Sequence, residues 1–108
     1  MPTYNKLVRD RIPEIIGKTG KTFTTRILSN DEYMEELRKK TYEELEEYMN
    51  TTDRDSALEE LADVLEILHA LAEGHGSSID EVERIRKEKA ESRGGFNEKI
   101  FLIEVEDE

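Results

Sequence analysis

Two stretches of helical period lie almost back to back in this sequence, and each carries an acid on the face where apolar residues belong. Both fall within YEELEEYMNTTDRDSALEELADVLEIL, residues 42 to 68, where only the polar run NTTDRD separates them. A helix turns by about 100° per residue, so numbering alone assigns faces. With Glu60 as the reference direction of the second stretch, Ala57, Val64, Ile67 and Leu71 fall within roughly 60° of it. Leu58, Leu61, Leu65, Leu68 and Ala72 continue the apolar arc to one side. Glu60 is thus set inside the greasy face, with Asp63 at its edge, while Glu59, Glu66 and Glu73 collect on the wet side. The first stretch repeats the pattern. Tyr33, Leu37 and Tyr48 flank Glu44, Glu47 lies at the boundary, and Glu32, Glu36, Glu43 and Glu46 point away.

So short a connection predicts an antiparallel helical hairpin. Folding it about Asp53–Arg54 sets Glu47 opposite Glu60 and Glu44 opposite Asp63, so four carboxylates converge where water is scarce. Like charges and desolvation each raise a carboxyl pKa, and two remedies exist: keep a proton or bind a cation. Oxygen donors with no cysteine in the chain and no histidine nearby suit a hard ion, Mg²⁺ or Mn²⁺. The alternative is structural, with Glu44 and Glu60 paired to basic residues such as Lys40 or Arg54.

The remaining chain supplies a mainly all-α frame. SNDEYMEELRKKTYEELEEYM reads as the first long helix, capped at Ser29, Asn30 or Asp31. The second starts near Ser56, where Ser56 and Glu59 fit a capping box, and runs to Ala72 or Glu73 before GHG. A third, SIDEVERIRKEKAESR, opens with Ser78 and Glu81 in the same pattern and stops at Gly94 and Gly95. KTFTTRIL and KIFLIEVE are β-branched enough to predict a small two-stranded β accessory. YNKLVRDRIPEIIGKTG predicts a turn before Pro13. The expectation is one domain over residues 1–108.

Charge narrows the function classes. A formal net charge of -11 with 40% charged residues repels a nucleic-acid polymer, although a small phosphorylated ligand is admissible if divalent metal accompanies it. No apolar run approaches a membrane span, and MPTYNKLVRD lacks the order of a secretion signal. With no disulfide framework either, a cytoplasmic protein is expected. Glu66 and His69 form an ExxH, but di-iron bundles need two such motifs facing inward, and here Glu66 projects outward. His75, in a glycine-rich turn, reads as surface decoration.

EELEE followed by EELADVLE resembles the EExxE…ExxD signature of the MazG-like, all-α nucleoside triphosphate pyrophosphohydrolases. YNKLVRDRIPEII and KEKAESRGGF resemble a small single-domain branch often labelled phosphoribosyl-ATP pyrophosphohydrolase-like. The resemblance covers nearly the whole chain. It implies metal ligation by Glu44, Glu47, Glu60 and Asp63, with Glu43 completing the motif but aimed away. It implies Mg²⁺-dependent cleavage of the α–β phosphoanhydride of a (d)NTP to a monophosphate and pyrophosphate. A bundle completed by self-association, as a homodimer or homotetramer, is also implied.

Within that chemistry Glu47 is the expected general base. Lys87, Lys89 and Arg93, with Lys6 and Arg9, are the expected cations for the substrate phosphates, Asp10 fixing one of the latter pair. Phe96 is expected in the core beside Ile100 rather than on a base. The competing readings are phosphoribosyl-ATP hydrolysis in histidine biosynthesis and, from another class, an inactive helical adaptor that dimerises through the apolar arcs.

Overall fold

The computed structural model describes residues 2–107 and, among them, four helices and no strand. They are α1 (Ile12–Lys18), α2 (Asn30–Met49), α3 (Arg54–Gly74) and α4 (Ile79–Arg93). No helix is long and apolar enough to cross a membrane.

The hairpin of α2 and α3 is the centre of the fold. Ser29 caps α2 in a full capping box: its hydroxyl accepts from the Glu32 backbone N–H at 3.3 Å, and the Glu32 carboxylate accepts from the Ser29 N–H at 3.2 Å. Arg26 grips the same carboxylate with both terminal nitrogens, at 3.2 and 2.7 Å. The Arg26 hydrogen bond, followed by the backbone N–H of Ser29, holds the Glu32 carboxyl down at about 2. After Met49 the chain needs only a few residues to reverse. Asp53 then caps α3 by accepting from the Ser56 N–H at 2.9 Å. Asp53 thereby takes the capping position expected of Ser56, and the helix starts two residues earlier.

Close packing fixes the antiparallel register. At the far end of the hairpin Gly74 meets Met34, and a Cβ built on Gly74 would run into the Met34 sulfur. At the near end Glu44 and Glu47 of α2 meet Glu60 of α3. Between these points Leu37 is 4% exposed and Ile67 7%, with Ala72 also buried. Little else is. Leu58, Leu61, Leu65 and Leu68 line the outer side of α3, where Leu65 is 51% exposed, and Val82 and Ile85 of α4 are similarly open. Their spacing of three and four residues is that of a coiled-coil seam, left largely uncovered by the described residues.

Three expectations need correction. Residues 21–28 and 99–106 do not pair: Ile27 is 95% exposed and Ile100, Phe101, Leu102 and Ile103 also face solvent. A lone two-stranded ribbon is marginal in water, and this one would have to close a loop of about 70 residues without a helix face beneath it. Phe96 is not a core residue either, being 97% exposed. Ser78 occupies the N-cap of α4 without a side-chain capping bond, and it is Ser77 whose hydroxyl donates to Glu81.

The seven-residue α1, not anticipated as a helix, has Pro13 in its first turn and Lys18 in its last. Both positions match the backbone's needs at those ends.

Candidate functional site

Glu44, Glu47 and Glu60 each offer a carboxylate oxygen, and the three oxygens lie within 4.8 Å of one another. Helix period sets this up: Glu44 and Glu47 stand one turn apart on α2, and Glu60 stands on the facing turn of α3. The Glu44 side chain is 14% exposed, Glu60 is half-buried and Glu47 is exposed. One oxygen on each of Glu44 and Glu60, Oε2 in both, is buried with no hydrogen-bond partner. A buried carboxylate oxygen left unpaired is costly, and such atoms are rare without a role.

Protonation follows from this crowding. Burial, followed by the neighbouring Glu60 and Glu47 carboxyls, pushes Glu44 up to about 7. Burial also raises Glu60, with Glu47 and Asp63 adding to it and the Glu44 carboxyl partly offsetting them, so the pair as a whole favours keeping a proton.

The alternative of simple ion pairing accounts for one oxygen only. Lys40 Nζ stands 4.0 Å from Glu44 Oε1, the outer limit of an ion pair, and leaves Glu44 Oε2 orphaned. Arg54 turns instead to Asp55 at 3.2 Å.

The donor set fits a hard divalent cation. All the candidate ligating atoms are carboxylate oxygens, the donor type Mg²⁺ and Mn²⁺ take, and three of them within 4.8 Å of one another can converge on one ion with small side-chain shifts. A cation there would also satisfy the two orphaned atoms and remove the need for the Glu44 proton.

Asp63 behaves differently from the expected fourth ligand. Its charge reaches Glu44 and Glu60, raising both, yet its Oδ1 accepts a hydrogen bond from Arg9 Nη2 at 2.7 Å and it stands outside the close group. Glu47 and Glu60 come together as the simple hairpin register expects, and Gly74 against Met34 fits the same register; Glu44 joins that pair, while Asp63 turns to Arg9.

The cations divide into two groups. Arg9 lies at the site through Asp63, which takes the partner role expected of Asp10. Lys6 lies beside Glu36, Lys39, Lys40 and Glu43 of α2, with its ammonium 5.6 Å from the centre of the Tyr4 ring. Lys87, Lys89 and Arg93 are exposed on α4, and none makes an ion pair with the three glutamates among the described residues. The open depression formed by Asp80, Glu83, Arg84, Lys87, Glu88 and Glu91 is one face of α4 alone and encloses nothing. Lys40, named from the sequence as a basic partner for these acids, does stand beside Glu44 at the i,i+4 spacing, at the outer limit of an ion pair.

Fold and site together define an all-α chain whose central hairpin presents an oxygen-only carboxylate cluster. Among known proteins, an uncharacterized protein of Mycolicibacterium smegmatis is 50% identical over 54 residues, half of this chain and 55% of that one. The chain thus spans about half the length of the curated relative it matches. No family model and no solved structure matches it.

Proposed function

We propose that the protein is a MazG-like nucleoside triphosphate pyrophosphohydrolase, acting in the cytoplasm with Mg²⁺ or Mn²⁺ and releasing pyrophosphate from a (d)NTP. The observation that carries this reading is the pair of buried, unpartnered oxygens on Glu44 and Glu60, facing each other across a helical hairpin. The bound ion would offset phosphate charge and make a neighbouring water more acidic.

The chain's own residues do the rest. Glu44 and Glu60 hold the cation, and Asp63 is close enough to add charge. Glu47, the exposed member, faces the solvent side from which water arrives, and accepts its proton. The water oxygen bonds to a phosphorus of the α–β bridge, the bridging P–O bond breaks, and pyrophosphate departs. Lys6 and Arg9 supply positive charge near the site, and Lys87, Lys89 and Arg93 of α4 are the further candidates for the substrate phosphates.

A second copy of the chain completes the molecule. The accessible surface is 10083 Å², against about 6,200 Å² for a folded monomer of this mass. The radius of gyration is 18.8 Å, against about 13 Å for a compact chain of this length. The excess exceeds what a standard interface covers, about 800 Å² per partner, and suits an obligate oligomer. The unpartnered leucine face is the one observation that also favours the adaptor reading.

Turnover separates the two. Pyrophosphate release measured across a nucleotide panel is expected to require Mg²⁺ or Mn²⁺ and to favour (d)NTPs. Preference for phosphoribosyl-ATP would reassign the substrate, and no release with any nucleotide would leave the adaptor.

A further inference from the structure

Among the described residues every ion pair but one joins side chains six or fewer positions apart. The exception is Arg9 with Asp63, 54 positions apart, at 2.7 Å. The segment carrying Arg9 is seated on the hairpin: Leu7 and Val8 are half-buried, and Leu7 lies beside Lys40 and Glu43. Arg9 therefore reaches the edge of the carboxylate cluster from a second direction, across α2 to α3.

We infer that Arg9 is a mobile counter-charge, paired with Asp63 at the edge of the carboxylate cluster and turning to the substrate's phosphates when a cation held by the glutamates offsets the Asp63 charge. The inference rests on the pyrophosphohydrolase reading and names a residue that links cation binding to substrate binding. The Asp63 charge acts on both Glu44 and Glu60, and a guanidinium is the only counter-ion it has among the described residues. Both side chains stay substantially open to water, 56% for Arg9 and 41% for Asp63. A pair so exposed is weak, and a divalent cation beside it would loosen it further. A guanidinium carries five N–H donors in a planar fork suited to phosphate, and only one is spent on Asp63. Once released, Arg9 stays tethered near the cluster by Leu7 and Val8, where the charge of a bound triphosphate would lie.

The test is isothermal titration of the full chain with two probes: Mn²⁺ alone, and the Mg²⁺ complex of α,β-methylene-ATP, whose scissile bridge is blocked. Arg9→Gln is expected to bind bare Mn²⁺ about three- to tenfold tighter, because Asp63 is freed and a positive charge is removed. The same variant is expected to bind the analogue about tenfold more weakly, with Arg9→Lys between it and wild type. A purely structural role for Arg9 would move both affinities in the same direction, and that result, or no change in either, overturns the inference. Absence of Mn²⁺ binding in wild type and variant alike would overturn the cation reading as well. Unchanged far-UV circular dichroism in Arg9→Gln ensures that the opposed shifts report on the site.

Discussion

Exchanging Glu44 for glutamine is expected to stabilise the cation-free protein above pH 7 while reducing pyrophosphate release at least about a hundredfold. The two effects have one origin. Glu44 titrates at about 7 in the folded chain, above the 4.5 of an ordinary glutamate, because it is buried beside Glu60 and Glu47 with Asp63 in range. Lys40, at 4.0 Å, is the one cation facing it.

Between those two pH values the folded state keeps a proton that the unfolded state has lost, so stability falls as pH rises through the interval. The contribution is fully present below about 4.5 and gone above about 7. Its size is of the order of 1–3 kcal/mol, enough to move a melting temperature by several degrees. Glu32 and Asp53, whose pKa values are lowered by their capping partners, act with opposite sign and only at lower pH. The cation-free melting temperature should therefore decline from pH 5 to 7.5 in wild type and decline less in Glu44→Gln, where Glu60 is still raised by burial.

Adding Mg²⁺ at a hundred times its dissociation constant should restore about 2.7 kcal/mol to wild type and nothing to the variant. A wild-type melt that ignores both pH and millimolar Mg²⁺ would refute the reading of the cluster.

The leucine face of α3 predicts an equally large effect. Wild type is expected to run in size-exclusion chromatography with light scattering at a multiple of its 12.6 kDa chain mass. Leu61→Glu combined with Leu65→Glu places two charges on the seam and should weaken association at least about a hundredfold, giving the chain mass at micromolar concentration. Helicity should fall with it, because among the described residues only Leu37, Ile67 and Ala72 are buried, too few to hold a chain of 108 residues. A cooperatively melting wild-type monomer would contradict this.

How much of this was readable from the residues varies by element. The hairpin was, since Glu60 among Val64, Ile67 and Leu71, and Glu44 beside Leu37, follow from helical period, and the acids placed on the wet side, Glu59, Glu66 and Glu73, are exposed. Ser29 was also recoverable as a cap, because it precedes an acid at the right interval.

The misses share a physical cause: each depended on a contact that local pattern does not encode. Asp53 outcompeted Ser56 because the peptide turned earlier than the Ser56–Glu59 spacing suggested. β-branched residues in KTFTTRIL and KIFLIEVE expressed a propensity that no neighbouring surface rewarded. The seven residues of α1 are too few to signal a helix by period. Arg9 with Asp63 joins positions so remote that only coordinates reveal it.

The brevity of the turn between Met49 and Arg54 has a kinetic corollary. Local contacts form before distant ones, so the three glutamates are forced together while most of the chain is still unstructured. Their mutual repulsion is thereby charged to the rate-limiting barrier rather than to a later consolidation step. Divalent ions should accordingly hasten refolding itself, raising the folding arm of a chevron plot, beyond merely delaying the reverse reaction.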